Sequence, residues 1–232
     1  MKKLLILFLL LVSVNLFSQR KWEVKNPFDH KEFIENKGQF DNIELPNKQK
    51  VLYAAVVDGL TYYFTKTGYT ICHTEIHKKE HNKEDNLSKK EEEENERNVE
   101  IENHYSELVL LNQDENTSVA TSDKVLNYYS YGDTKSPGRR GTIIAHAFKQ
   151  LTYVNVYPKI DLVFRVPIDS VGLEYSFVLK AGSNIKDIQM KFDAPLELLK
   201  GNAEIKSDFG NLEHFAPKAF VAGTSTVIHS KF

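Results

Sequence analysis

Two acidic residues, Asp161 and Glu174, stand in consecutive β-prone runs, KIDLVFRV and GLEYSFVLK. A pair of carboxyl groups is the catalytic equipment of most glycoside hydrolases, in which one protonates the leaving group and the other acts as nucleophile or base. In a strand, however, side chains alternate between two faces, so Asp161 and Arg165 share the face opposite the apolar side chains. A hairpin centred near Asp169 then places Arg165 across from Glu174.

This register favours a structural role for both acids. A cross-strand ion pair between Arg165 and Glu174 stabilises a sheet by roughly 0.2–1 kcal/mol. Asp161 follows the bend at Tyr157 and Pro158, where its carboxylate can accept hydrogen bonds from the backbone of a turn. The sequence therefore predicts a structural role for Asp161. The less favoured alternative is a hydrolase that uses Asp161 and Glu174.

The segment HTEIHKKEH offers a second kind of chemistry, because imidazoles and carboxylates are metal ligands. If the segment is extended, His73, Glu75 and His77 project from one face. If it is helical, His73, His77 and His81 do so. The competing interpretation places these histidines at the margin of a solvated charged run, where nothing holds ligands in fixed positions.

Two further motifs are candidate ligand-binding sites. Arg139 and Arg140 in SPGRRG can bind a phosphate or a glycan carboxylate through bidentate hydrogen bonds, although such turns are more often solvated loops. In NYYSYG, strand spacing puts Tyr129 and Tyr131 on one face and Tyr128 on the other. Exposed tyrosine rings stack on sugars, but at least one of these two faces is expected to pack in a core.

Other classes of activity find little support in the sequence. It contains no nucleophile elbow, HExxH zinc motif, P-loop, paired CxxC or dinucleotide fingerprint, so no cofactor is expected. A formal net charge of -2 over 232 residues argues against nucleic acid as a partner, since nucleic-acid-binding proteins concentrate basic residues on one surface.

The first 18 residues are typical of a secretory signal peptide. Lys2 and Lys3 precede the apolar run Leu4–Val12, and Ser18 is the small residue at the expected cleavage site. The run is short for a helix that must cross roughly 30 Å of bilayer, which disfavours an uncleaved anchor. The single cysteine, Cys72, cannot form an internal disulfide and is predicted to be a small buried thiol.

After a polar entry segment at 19–32, the pattern over 33–232 predicts short strands. Runs at 51–57 and 60–65, joined by Asp58 and Gly59, predict a β-hairpin. Turn signals recur about every ten residues to the end of the chain, as in antiparallel β-sandwiches. The almost entirely charged or amide-bearing stretch 77–104 is predicted to be a solvated, mobile insertion, with a linker between two domains as the alternative. The predicted fold class is an all-β, antiparallel, sandwich-like domain with this insertion.

Several phrases occur together and in order: FIENKGQF, NYYSYG, AFKQLTYVNVYPKIDLVFR, GLEYSFVLKAGSN, IQMKF and NAEIKSDFGNLEHFAPKAF. Over about Phe33 to Phe220 they resemble the N-terminal domain of large secreted proteins of Bacteroidetes-type bacteria, found before SBBP β-propeller-like repeats and in gliding-motility-associated proteins sorted by type IX secretion. Lys159, Ser176 and Ala181 stand where that pattern usually has Gly, Asp and Pro. The resemblance implies a structural signature and no catalytic residues. The signature residues are Asn36, Gly38, Gln39, Tyr157, Pro158, Asp161, Arg165 and Glu174.

The resemblance therefore implies a non-enzymatic, exported module of a cell-surface or secreted protein, associated with adhesion or gliding motility. It would leave the cytoplasm through the Sec pathway and act outside the cell or at the outer-membrane surface, without a membrane span after cleavage. Its expected partners are downstream domains of a longer surface protein, cell-envelope components or glycans. The alternative function is a carbohydrate-binding module that uses exposed tyrosines.

Overall fold

The computed structural model describes residues 31–78, 99–132, 141–167, 171–224 and 226–232. The predicted signal peptide at 1–18 lies outside these residues. Apart from a 3₁₀ turn at Ile185–Asp187, the described residues form strands and their connections. The strands are β1 (Phe33–Glu35), β2 (Tyr53–Val57), β3 (Leu60–Phe64), β4 (Gly68–Lys78), β5 (Val99–Leu110), β6 (Ser118–Gly132), β7 (Thr142–Tyr157), β8 (Ile160–Arg165), β9 (Glu174–Leu179), β10 (Met190–Phe192), β11 (Leu196–Leu199), β12 (Asn202–Ser207), β13 (Gly210–His214), β14 (Ala219–Phe220) and β15 (Val227–Ile228).

The predicted hairpin at the start of the domain is confirmed. β2 and β3 pair up to Val57 and Leu60, and the two residues between them, Asp58 and Gly59, have φ angles of 51° and 81°. Two consecutive positive φ values are the requirement of a type I′ turn, whose twist matches that of the flanking strands. The Asp-Gly pair meets this requirement, which explains why so short a loop suffices.

Ten strands form one antiparallel sheet in the order β10-β5-β4-β3-β2-β1-β7-β8-β9, with β6 paired to β7. β6 lies along one edge of β7 over most of its length. The other edge of β7 is therefore shared, by β1 at Ala147 and Phe148 and by β8 from Gln150 onward. The long strand β7 thus connects two halves of the sheet.

These halves fold over one another to make the sandwich. In the strand order, Phe64 on β3 and Phe164 on β8 are four strands apart, which corresponds to roughly 19 Å in a flat sheet at about 4.8 Å per strand. Their ring centroids are nevertheless only 5.2 Å apart. The sheet must therefore curl until its two ends face each other. The prediction of an all-β, sandwich-like fold is confirmed.

One hydrophobic cluster fills the space between the two layers. Leu151, Tyr153 and Phe164 are among its fully buried members, and Cys72 nearby is a buried free thiol as predicted. Phe164 makes edge or tilted ring contacts with several aromatic neighbours. Because aromatic rings bury a large area and prefer such angles, this cluster supplies the core that the chain needs in the absence of a disulfide.

The boundaries of the charged segment differ from the prediction. Pairing of β3 with β4 ends at Cys72 and pairing of β10 with β5 ends at Leu108, but β4 and β5 remain paired to Lys78 and Val99. The β4–β5 ribbon, defined here as residues 73–78 and 99–104, therefore extends past its neighbours. Ile76 and Ile101 lie opposite each other within this ribbon. Both ends of the predicted insertion therefore belong to the sheet. Residues 79–98 lie outside the described part of the chain.

Two small sheets follow the sandwich, β11-β12-β13 and β14-β15. The three-stranded sheet contacts the sandwich through β12 and β13. Ala203 and Ile205 of β12 are buried, Leu212 of β13 packs against the main cluster, and His214 contacts Tyr175 and Phe192 through its ring. Among the described residues, no helix is long and apolar enough to cross a membrane.

Candidate functional site

Asp161 stabilises the turn between β7 and β8. Its carboxylate accepts the N–H of Asn155 at 2.8 Å and lies 2.9 Å from Nζ of Lys180. Burial raises the pKa of Asp161, but the Asn155 N–H and the Lys180 ammonium together outweigh that effect and leave the pKa below its ordinary value. Since Asn155 has a φ of 51°, the carboxylate supports a strained backbone position. This agrees with the structural role predicted from the sequence.

The hairpin register predicted from the sequence is also confirmed, since Arg165 pairs with Glu174 and Asp161 with Val178. The side chain of Arg165, however, donates to Gln150 on the other neighbouring strand, at 2.5 Å. Four residues of strand separate Asp161 from the position of Glu174, about 13 Å at 3.3 Å per residue. Glycosidase carboxyl groups lie within roughly 5–9.5 Å of each other, so the structure does not bring these two acids together as a hydrolase pair.

The signature residues near β1 form a hydrogen-bonded loop. The Asn36 side-chain oxygen accepts the N–H groups of Gly38 and Phe40, at 2.8 Å and 3.2 Å, and its amide donates to the carbonyl of Val51 at 2.8 Å. Gln39 donates to the carbonyl of Glu35 at 2.6 Å. This amide network ties the exit of β1 to the strand that follows.

Tyr157 and Pro158 close the turn before β8. The Tyr157 hydroxyl donates to the carbonyl of Gln189 at 2.8 Å and thereby links β7 to the segment before β10. Lys159, which follows Pro158, has a φ of 62°. A positive φ after proline favours glycine, which accounts for the glycine of the related pattern at this position.

Tyr129 and Tyr131 are half-buried. Both pack against a small second cluster that contains Ile34 and Phe40, and the Tyr131 ring meets that of Phe40 edge-on at 5.9 Å. The strand alternation predicted this shared face, and the structure shows that it is the packed one. Tyr128 is the exposed tyrosine of the motif, with 63% of its surface accessible. Arg139 and Arg140 lie outside the described residues.

His73, Glu75 and His77 lie on one face of the β4–β5 ribbon, as predicted for an extended segment. Pairing brings His104 opposite His73 and Glu102 opposite Glu75. These five side chains are called the histidine–glutamate ladder below. Within it each carboxylate lies between two imidazoles: Glu75 is 3.6 Å from His73 and 3.3 Å from His77, and Glu102 is 3.8 Å from His77 and 3.7 Å from His104.

Sequence reasoning identified only the β4 half of this ladder. Glu102 and His104 were predicted to lie in the charged insertion, and their place in β5 was missed. The alternation of Val99 and Ile101 with acidic residues is the signal that could have identified the strand. Within the described parts of the chain, no three His, Cys, Asp or Glu side chains are arranged as a ready-made metal site. The ladder is thus a row of paired groups that do not converge on one point.

A second feature that sequence reasoning missed is an exposed apolar surface at the end of the chain. Of nineteen large apolar side chains that are exposed among the described residues, nine lie within residues 196–232. Leu196 and Leu198 of β11 pair with Ile205 and Ala203 and so face the same side of the small sheet. That side is buried at β12, yet Leu196 and Leu198 are 44% and 57% exposed.

β11 is also the outer strand of its sheet among the described strands. The backbone edge of such a strand is unpaired, and its apolar face is only half covered. A further strand would pair with this edge and cover this face. The surface formed by Leu196, Leu198 and the β11 edge is called the β11 surface below.

A family model described as "Domain of unknown function (DUF7948)" matches residues 33–232. No curated protein matches the chain, and no solved structure does.

Proposed function

The chain belongs to the DUF7948 family, and from this premise we propose that it is a non-enzymatic interaction module that works outside the cytoplasm. It is exported through the Sec pathway and forms part of a cell-surface or secreted protein with a role in adhesion or gliding motility. The motif resemblance to N-terminal domains of Bacteroidetes-type surface proteins and the signal-peptide pattern of residues 1–18 support this proposal.

The observation that carries the proposal is the β11 surface. Isolated exposed apolar side chains are normal on a protein, but a concentration of them indicates a contact with another molecule. Two of these side chains, Leu196 and Leu198, lie on the outer strand β11, so exposed apolar groups and an unpaired strand edge occur together there. The partner that fits both features is an extended, largely apolar segment of an adjoining polypeptide, which adds to β11 as a further strand and covers the two leucines.

The contacts of two candidate site residues also support a non-enzymatic role. Asp161 is committed to the Asn155 backbone and Lys180, and Tyr129 donates its hydroxyl to Glu32 at 2.7 Å. Both groups therefore contribute to architecture. A module of this kind acts by holding a surface in place rather than by converting a substrate.

The test uses the bacterium that produces the protein. Leu198→Glu places a charge in the β11 surface, while Ile144→Glu places the same charge at a comparably exposed residue, 51% accessible, on β7. We expect Leu198→Glu to release most of the protein from washed cells into the medium and to reduce adhesion, and Ile144→Glu to behave as the wild type. Equal retention and adhesion of all three proteins would overturn the proposal.

A further inference from the structure

We propose that an open cleft beside β1 and β2 binds an acidic polysaccharide through the carboxylate or sulfate groups on its sugar residues. The cleft has a volume of about 440 Å³ and lies where β1 ends and where β2 and β6 begin. It is called the lysine cleft below. Its lining includes no residue of the β11 surface, so the proposal does not rest on the proposed function.

Three lysines give the lysine cleft its positive charge. Lys37 follows β1, Lys50 precedes β2, and Lys66 lies in the turn between β3 and β4. All three side chains are exposed. Because they come from three separate segments, the folding of the sheet is what brings them to one cleft. An ammonium group is a point charge that binds anionic oxygens, so the cleft favours an anionic ligand.

Glu35 is the one acidic side chain that lines the cleft in the described part of the chain, and its carboxylate already has partners. It accepts the backbone N–H of His146 at 3.0 Å, and it lies 2.9 Å from Nδ1 of that ring and 3.2 Å from Nζ of Lys37. Burial raises the pKa of Glu35, but these contacts outweigh that effect and leave the pKa below its ordinary value. Glu35 therefore holds Lys37 at the cleft and leaves the other two lysines to the ligand.

Lys50 and Lys66 have only weak contacts. Nζ of Lys50 lies 3.9 Å from the carboxylate of Asp41, and 72% of the Lys50 side chain is exposed. That distance is longer than hydrogen bonds of roughly 2.7–3.2 Å. Lys66 donates to the backbone carbonyl of Glu115, a neutral acceptor, at 3.2 Å. A carboxylate or sulfate that enters the cleft replaces these contacts with charge-assisted hydrogen bonds, which are shorter and stronger.

The floor of the lysine cleft indicates that the ligand has an apolar surface as well as a charge. Leu52, Tyr53 and Val119 line the cleft and are partly exposed. Tyr53 and Val119 also pack against the main hydrophobic cluster, which fixes the position of the floor. Apolar and aromatic side chains of this kind pack against the C–H faces of sugar rings.

The size and shape of the cleft point to a sugar chain rather than to an inorganic anion. Its volume falls in the range of roughly 300–1,000 Å³ that is typical of sites for organic ligands. The cleft is open to solvent, and its charges are spread over three segments of the chain. A chain of acidic sugar residues places one anionic group near each lysine while its rings lie on the floor.

The experiment is calorimetric titration of the mature chain with three tetrasaccharides: a galacturonate, which carries carboxylates, a sulfated galactose, and neutral galactose. We expect saturable binding of an acidic tetrasaccharide and none of the neutral one. The acidic tetrasaccharide that binds more tightly identifies the preferred anion. Because salt screens exposed charges, we expect at least about tenfold weaker binding when NaCl is raised from about 0.05 M to about 0.5 M.

Two single variants test the lysines. Lys50→Gln and Lys66→Gln each remove one charge and retain a polar side chain, and we expect each to weaken binding at least about fivefold and the double variant to weaken it further. Lys218→Gln is the matched control, since it removes an exposed lysine outside the cleft, and it is expected to bind as the wild type. Circular dichroism verifies that the variants are folded.

Three results would overturn the proposal. One is the absence of saturable binding of both acidic tetrasaccharides. Another is equal affinity of the wild type and the double variant, which would place the bound sugar elsewhere. The third is binding of inorganic sulfate or of a glutamate tetrapeptide as tightly as the better tetrasaccharide, which would show that the cleft recognises charge without a sugar ring.

Discussion

The hydroxyl of Tyr153 donates to the backbone carbonyl of Gly68 at 2.9 Å, and it also lies 2.7 Å from the carbonyl of Thr65. Tyr153 is on β7, whereas Gly68 and Thr65 flank the turn between β3 and β4. The bond therefore joins the two layers of the sandwich, inside a core where Tyr153 is fully buried.

Tyr153→Phe tests this link between layers. The variant keeps the ring but leaves two buried carbonyls with one donor fewer, and we expect the free energy of unfolding to fall by about 1–3 kcal/mol. Urea unfolding followed by circular dichroism measures the change. Tyr128→Phe, at an exposed tyrosine, serves as the control. Equal stability of the two variants would show that the inter-layer bond contributes nothing.

Gly68 accepts this hydrogen bond, and its position also has no room for a side chain. A Cβ atom there would lie 2.0 Å from the carbonyl oxygen of Leu108, and φ is 151°. Gly59 also has a positive φ, of 81°, but an added Cβ would meet nothing within 4 Å. We expect Gly59→Ala to cost about 1 kcal/mol of backbone strain and Gly68→Ala to cost at least twice as much, since β5 must move. Comparable unfolding midpoints for the two variants would contradict the close approach of β4 and β5.

Asp161 is predicted to act on stability. Asp161→Ala removes the acceptor of the Asn155 N–H and the partner of Lys180, so we expect a loss of about 1–3 kcal/mol. Asp161→Asn retains an oxygen for the Asn155 N–H and should lose less than half of that amount. Because the pKa of Asp161 is lowered in the folded state, its stabilisation is present above the ordinary pKa of the carboxyl group and is lost as the pH falls below it. A variant Asp161→Ala with wild-type stability at pH 7 would refute this role.

His214 makes the attachment of the small sheet sensitive to acid. Burial lowers the pKa of His214 to about 4, and the Tyr175 hydroxyl lies 3.2 Å from its Nδ1. Below the ordinary value of about 6.5 the unfolded chain takes up a proton that the folded chain resists, so stability falls between about pH 6.5 and pH 4, by about 3 kcal/mol. Chemical unfolding at several pH values measures this slope.

His214→Gln retains a polar contact for Tyr175 without titrating in this range, and we expect a flatter pH dependence than in the wild type. His229→Gln removes an exposed histidine and should leave the slope unchanged. If His214→Gln and the wild type lose stability in parallel over this range, the imidazole of His214 does not control it.

Whether a feature of this fold can be predicted from the sequence depends on how far apart in the chain the contacting residues lie. The β2–β3 hairpin and the pairing of Arg165 with Glu174 were predictable, because turn chemistry and strand alternation are local properties. The positive φ of Lys159 explains why the related motif has glycine at this position, which the sequence alone did not show. These features need only a few consecutive residues.

Features that depend on distant segments were not predictable in the same way. Arg165 bonds to Gln150 because β7 is the other neighbour of β8. Glu102 and His104 join the ladder because β4 pairs with β5. The exposure of Leu198 likewise depends on which segments pack over β11, and strand alternation does not specify those. The alternation of side chains along a strand predicts which residues share a face. Which of the two faces is covered depends on tertiary packing.

Site-specific photo-crosslinking in living cells tests most directly whether the β11 surface binds an adjoining polypeptide. A photo-reactive amino acid is introduced in place of Leu198, and separately in place of Ile144 as the control. The account predicts one dominant crosslinked product from position 198, to an extended segment of an adjoining surface polypeptide, and none from position 144. Absence of a crosslink from position 198, or the same products from both positions, would contradict it.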